Sequence, residues 1–239
     1  MFAFRDTADL GPGHPRVEVA FTDSSLDLQG NLHGNLDKLE GFSRALARVE
    51  AEAGVTFARL EQVHGDVVRH VTEPWPPGPS ADVPVGDALV TDHPGIGLMV
   101  RVADCVPVLL ADPAAGVVGA VHAGRKGVAL DVVGRAVDSM RALGAQKITA
   151  WVGPHVCGRC YEVPADLRDE VAAVVPATLA ETAWGTPSLD LGAGVAAQLA
   201  EHGVAATDVG PCTLEDPSLH SYRRDGARSG RFAGLVWLS

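Results

Sequence analysis

His64, Cys105 and His122 each sit where an apolar run meets polar or glycine-containing sequence. Their contexts are Gln62-Val63-His64-Gly65-Asp66, Ala103-Asp104-Cys105-Val106-Pro107 and Val121-His122-Ala123-Gly124. Two imidazoles and a thiolate suit zinc, and three protein ligands leave a fourth position for water or substrate, as in catalytic sites. Any one of the three would pass as ordinary core or surface, since free cysteine is among the most buried residue types. Taken together at apparent strand ends, where rigid scaffolds present chemistry, they read as one metal site. Asp104, beside a ligand, is a candidate proton shuttle or orienting group, and Gln62 either binds substrate or only ends a strand.

Three other stretches carry chemical potential. His122-Ala123-Gly124-Arg125-Lys126-Gly127 runs from a strand into a helix, so its amides and Lys126 could hold an anion; the plainer reading is a glycine-rich turn with two solvated bases. His155, Cys157 and Cys160 offer Cys-x-x-Cys spacing with a histidine two residues upstream, compatible with zinc or dithiol chemistry. Structural zinc needs a fourth ligand, however, and redox motifs open a helix, whereas Tyr161-Glu162-Val163 reads as strand, so this pair reads as local and structural. Finally, Arg223, Arg224, Arg228 and Arg231 crowd into nine residues of an acidic protein, pointing to anion recognition or to surface ion pairs with Asp216 and Asp225.

The elements that must position these groups follow from periodicity. A strand is expected over 17–22 and a loop over 23–35. Leu36, Leu39, Phe42, Leu46, Val49 and Ala53 then form one helical stripe closed by Gly54. Strands are expected over 56–63 and 66–71, placing His64 at a turn, and a proline-rich extended loop over 73–84. Apolar runs at 88–90, 96–102, 106–110 and 117–121 read as the central sheet. Helices are expected over 127–143, 165–174 and 189–200, with further strands over 147–152, 204–209 and 231–238. Helices and strands mix without strict alternation, which predicts one α/β domain over residues 1–239, layered rather than Rossmann-like.

Composition bounds the function. The 239 residues are 46% hydrophobic, enough for a sizeable core, and the net charge of −11 repels nucleic acid and anionic membrane. Small-molecule chemistry is the better expectation. No stretch approaches the ~18 apolar residues of a membrane span. Arg5, Asp6 and Asp9 stand where a signal peptide needs apolar residues, so a cytoplasmic protein is expected. Four cysteines are too few for a disulfide framework and read as thiols.

At Gln62-Val63-His64, Asp87-Ala88-Leu89-Val90-Thr91, Ala103-Asp104-Cys105-Val106-Pro107, His122-Ala123-Gly124, Cys160-Tyr161-Glu162-Val163 and Ser221-Tyr222-Arg223-Arg224-Asp225-Gly226, the chain resembles the laccase-domain family. That family was long called multicopper polyphenol oxidases and is now associated with zinc-dependent purine nucleoside phosphorylase and adenosine deaminase activity. The resemblance implies a layered αββα sandwich with mixed sheets, one zinc on His64, Cys105 and His122, and purine nucleosides and phosphate as substrates, with methylthioadenosine as a further one. Two departures stand out: Arg125 occupies the family's usual tryptophan position, and the N-terminal glycine-serine motif is poorly matched.

On this reading zinc would lower the pKa of a nucleophile held near a nucleoside, serving attack at C6 of adenine in deamination or phosphate attack at the ribose C1′ in phosphorolysis. Lys126, Arg223 and Arg224 are the candidate anion-binding groups. Copper oxidase chemistry is the less favoured metal reading, because coupled copper clusters consume many histidines and this chain has nine with no His-x-His pair. A thiol hydrolase with Cys105 as nucleophile and His122 or His64 as base, and a non-catalytic module with His155 as fourth zinc ligand, are the competing readings. The sequence leaves the oligomeric state open.

Overall fold

The computed structural model describes residues 1–29, 36–76 and 83–239. The end of the expected 23–35 loop, residues 77–82 of the proline-rich stretch and the side chains of residues 36–38, Leu36 of the helical stripe among them, lie outside the described residues. Two mixed sheets dominate. One has the order β1 (Phe2–Ala8), β2 (Val17–Thr22), β13 (Phe232–Leu238), β6 (Ile96–Val102), β3 (Thr56–Ala58). The other has the order β12 (Ala205–Asp208), β9 (Thr149–Val152), β7 (Val106–Asp112), β8 (Val117–Ala123), β5 (Ala88–Thr91), β4 (Val68–His70). A small hairpin pairs β10 (Leu179–Glu181) with β11 (Pro187–Leu189).

Strand side chains alternate between faces, and here the alternation sorts the apolar residues into three packed layers. Between the sheets lie Phe21, Leu98 and Val236 from one and Leu109, Val118 and Ala120 from the other. Phe57, Met99, Leu235 and Trp237 face outward from the five-stranded sheet onto α1 (Leu36–Ala53), meeting Phe42, Leu46 and Val49. Val108, Leu110 and Val121 face outward from the six-stranded sheet onto α2 (Arg125–Ala129), α3 (Val132–Ala142), α4 (Ala165–Val174) and α5 (Leu191–Glu201). The result is the expected αββα sandwich. Strands covered on both faces explain why 96–102, 106–110 and 117–121 read as continuous apolar runs.

Several boundaries differ from expectation for identifiable reasons. β1 pairs with β2 at a sheet edge, and its Arg5 reaches outward to Glu18 and Glu52, so charges that argue against a buried strand fit an edge one. The expected 127–143 helix breaks at Asp131, which takes φ 57° and accepts a hydrogen bond from the Gly134 N–H to cap α3. The 56–63 strand stops at Ala58, and beyond it the Gln62 amide mimics a strand partner, donating to the Arg101 carbonyl (2.8 Å) and accepting from the Arg101 N–H (2.9 Å). Tyr161-Glu162-Val163 gives only a bridge from Glu162 to Ser188.

Candidate metal centre

Register brings the predicted trio together. Ala88 pairs with Val121 and Val106 with Ala123, so Asp87, Cys105 and His122 all fall at one end of the six-stranded sheet. His64 arrives from the loop between β3 and β4 with φ 62°, and Asp104 next to Cys105 has φ 87°. Such left-handed backbone costs a residue other than glycine on the order of 1–2 kcal/mol and persists only when neighbours enforce it.

The enforcing group is Asp87. Its fully buried carboxylate accepts N–H groups from Val63 (3.3 Å), His64 (2.9 Å) and Gly65 (2.7 Å), wrapping the strained turn around one anion. It also bonds His122 Nδ1 at 2.8 Å, while its carbonyl accepts the His122 N–H. Burial alone would raise this carboxyl, but the bonds from His122, Gly65 and His64 outweigh it and hold the group below the usual range. With Nδ1 engaged, His122 presents Nε2, the carboxylate-histidine arrangement that orients metal ligands.

The donor atoms of His64, Cys105 and His122 lie within 4.8 Å of one another, with His64 Nε2 3.7 Å from Cys105 Sγ. Tetrahedral zinc with ordinary bond lengths separates a nitrogen from a sulfur ligand by about 3.6 Å, so the donor set fits that ion. A Cβ at Gly124 would come within 2.5 Å of His64 Cδ2 and 3.3 Å of Cys105 Sγ, which accounts for the glycine after His-Ala. His122 is buried, Cys105 half-buried and His64 exposed, so the centre opens on the His64 side. In the metal-free protein, burial opposes the Cys105 thiolate, but the His122 charge and bonds from both histidines win and bring the thiol down to about 6. Burial likewise opposes the His122 cation, and the Cys105 thiolate with Asp87 lifts it to about 9. A thiolate beside protonated imidazole is the form from which a metal displaces one proton.

The remaining expected site residues separate by position. Asp104 accepts from Thr213 Oγ1 (2.7 Å) and the Arg223 N–H (2.7 Å), tying the C-terminal loop to the strand end. The Arg223 guanidinium lies 4.4 Å from the Tyr161 ring centre and donates to the Glu162 carbonyl at 2.7 Å. Burial and the Cys105 charge push the Tyr161 hydroxyl up, and Arg223 and Arg125 oppose them, which places Arg125 in the same electrostatic neighbourhood. Lys126 is exposed on α2. Arg224, by contrast, donates to the carbonyls of Thr213, Asp216 and Leu219 and pairs with Asp225, so its guanidinium staples its own loop. Gln62 is engaged with Arg101. His155 does not join the trio, because its Nδ1 bonds the Gly153 carbonyl at 2.8 Å and its Nε2 faces Gly192. Cys157 and Cys160 gather instead with Cys212 and Glu215. Asp87 is the functional residue that periodicity and donor type do not single out; the usable signal is an acidic residue immediately preceding the apolar run Ala88-Leu89-Val90, where a buried carboxylate must find partners.

The description "multi-copper polyphenol oxidoreductase laccase" belongs to the family that matches residues 24–239. A purine nucleoside phosphorylase of Streptomyces griseus is 56% identical over 182 residues, covering 75% of this chain and 73% of the relative. Another purine nucleoside phosphorylase, from Streptomyces coelicolor, is 51% identical over 215 residues, 87% of each chain. Among solved structures, protein NMB0706 of Neisseria meningitidis superposes with a TM-score of 0.79 at 30% identity, covering 98% of this chain and 99% of that one. YlmD of Geobacillus stearothermophilus gives 0.80 at 25% identity, covering 96% and 98%. With its sheets, its strand-end trio and these likenesses in agreement, the chain belongs to the multi-copper polyphenol oxidoreductase laccase family.

Proposed function

We propose that this chain is a zinc-dependent purine nucleoside phosphorylase, converting nucleoside and phosphate to free base and ribose 1-phosphate. In this proposal the same centre also deaminates adenosine and cleaves methylthioadenosine, within one domain acting in the cytoplasm. The observation that carries the reading is the convergence of His64 Nε2, Cys105 Sγ and His122 on one open-sided centre, supported by relatives named purine nucleoside phosphorylase. Zinc bound there would supply Lewis-acid charge and lower the pKa of an oxygen nucleophile.

The chain's own groups do the rest. Asp87 keeps the proton on His122 Nδ1, and Gly124 leaves room for the His64 imidazole and the Cys105 sulfur. In phosphorolysis a phosphate oxygen bonds to C1′ as the C1′–N9 bond breaks and the base takes a proton. The charge of the attacking dianion needs positioned cations; Arg223, stacked on Tyr161, and Arg125, whose charge also acts on Tyr161, are the candidates, with exposed Lys126 next to Arg125 in sequence. Asp104 acts as a positioning residue, holding Thr213 and Arg223 against the centre. Zinc suits this donor set better than coupled copper: the other histidine-rich group among the described residues is the exposed His70, Asp92 and His93.

A second reading has an observation of its own: Cys105, His122 and Asp87 line up as thiolate, imidazole and orienting carboxylate, the layout of a thiol hydrolase. That layout gives no role to His64, whose ring meets the sulfur on strained backbone. Activity that survives chelators in zinc-free protein but is lost on alkylating Cys105 would select the hydrolase. The direct test incubates zinc-loaded protein with adenosine, inosine, guanosine or methylthioadenosine, with and without phosphate, following base and ammonia. Phosphate-dependent base release that His64→Ala abolishes supports the phosphorylase; no turnover, or equal turnover by His64→Ala, removes it.

A further inference from the structure

Cys157, Cys160, Cys212 and Glu215 come from two segments more than fifty residues apart in sequence, yet their donor atoms lie within 4.8 Å of one another. Each segment is a tight turn with the same spacing of two intervening residues. In the first, the Cys160 and Tyr161 N–H groups donate to the Cys157 carbonyl at 2.9 and 3.0 Å; in the second, the Glu215 and Asp216 N–H groups donate to the Cys212 carbonyl at 3.2 and 3.0 Å. The turns are joined by a parallel bridge between His155 and Cys212 and by the Thr213 N–H on the His155 carbonyl at 3.0 Å. The Cys157 N–H also donates to Cys212 Sγ at 3.4 Å, so a third contact holds the two turns together.

We propose that these four side chains bind a second zinc ion, a structural one, that clamps the turn leading into Tyr161 to the turn leading toward Arg223. The proposal stands apart from the phosphorylase reading and uses none of its residues as ligands. Three thiolates select a soft or borderline ion, and four protein donors close a tetrahedron, which distinguishes this site from the open trio. Cys160 is buried, Cys157 and Cys212 are half-buried and Glu215 is exposed, so the carboxylate is the outer ligand. All four cysteines of the chain are free thiols, and a disulfide here would strand the third sulfur and the carboxylate. The clamp matters because Tyr161 follows Cys160 directly and Thr213, next to Cys212, donates to Asp104 beside the metal trio.

The test counts zinc in the full chain, loaded with zinc(II) under reducing conditions and desalted, by elemental mass spectrometry. Two zinc ions per wild-type chain are expected, one in His64→Ala and one in Cys212→Ser. Cobalt(II) in place of zinc should then give His64→Ala a sulfur-to-metal charge-transfer band about three times as strong as that of Cys212→Ser, since three thiolates stand against one. If Cys212→Ser does not fold, the His64→Ala count still decides. No zinc in His64→Ala, or a disulfide between any two of Cys157, Cys160 and Cys212 in the zinc-loaded protein, overturns the proposal.

Discussion

At one end of the six-stranded sheet Asp87 accepts N–H groups from Val63, His64 and Gly65; at the other, Asp112, last residue of β7, accepts them from Ala114, Ala115, Gln146 and Lys147. Both carboxylates are buried, and in both burial pushes the pKa up while hydrogen bonds more than offset it and hold the group below the usual range. The difference lies in what each anchors. All Asp112 partners are backbone amides that neither titrate nor bind metal, so that end of the sheet only folds. Asp87 gives one oxygen to His122 Nδ1 and holds His64 on left-handed backbone, so the same physical device there aims two imidazoles at Cys105. A buried anion that satisfies amides stabilises a turn; one that also grips an imidazole sets up a site.

The contrast can be broken most severely at Asp87. Asp87→Asn should lower zinc affinity of the trio by about 10–100-fold, the usual cost of losing a carboxylate behind a ligating histidine, measured by competition with a chromophoric chelator. Unchanged affinity would mean that Asp87 is a fold anchor like Asp112. Next in size, Gly124→Ala drives a methyl against His64; overpacking should cost about 1–3 kcal/mol, and zinc should be lost from the trio while the Cys157 cluster keeps its own, as read by metal counting.

Asp112→Asn should destabilise by about 1–3 kcal/mol in urea unfolding with zinc content unchanged, and altered content would erase the distinction between the two ends. The sign with pH follows from the lowered pKa: the folded protein holds the Asp112 proton more weakly than the unfolded chain does. Its stabilisation is therefore complete above the unfolded value of about 3.9 and fades as pH falls through the lower folded value. Acid unfolding of Asp112→Asn should thus show a shallower pH slope than wild type in that window. Smallest of all, Gln62→Ala should cost about 1 kcal/mol from the lost bonds to Arg101, leaving KM for nucleoside unchanged; a raised KM would return Gln62 to the substrate site.

What was legible in the sequence follows the same division. The α1 stripe and the doubly buried strands β6, β7 and β8 are readable because helical and sheet burial leave strong periodic or continuous apolar signals. The trio is readable because each donor closes an apolar run beside polar or glycine-containing sequence. The edge strand β1 and the break at Asp131 are not, since the one depends on pairing with a distant strand and the other on a side chain capping its own turn. Nor could spacing show that Arg224 spends its guanidinium inside its own loop, or that Cys212 and Glu215, rather than His155, complete the Cys157 and Cys160 group. Those outcomes depend on chain reversals that bring distant turns together.

In the proposed centre, three atoms from two strand ends and one strained turn hold a single metal ion. Anomalous scattering at the zinc edge from crystals of the zinc-loaded protein tests it most directly. A peak bonded to His64 Nε2, Cys105 Sγ and His122 Nε2, with Asp87 on His122 Nδ1, is expected. A zinc-loaded crystal with no peak between those atoms, or with a fourth protein ligand closing the position, would contradict it.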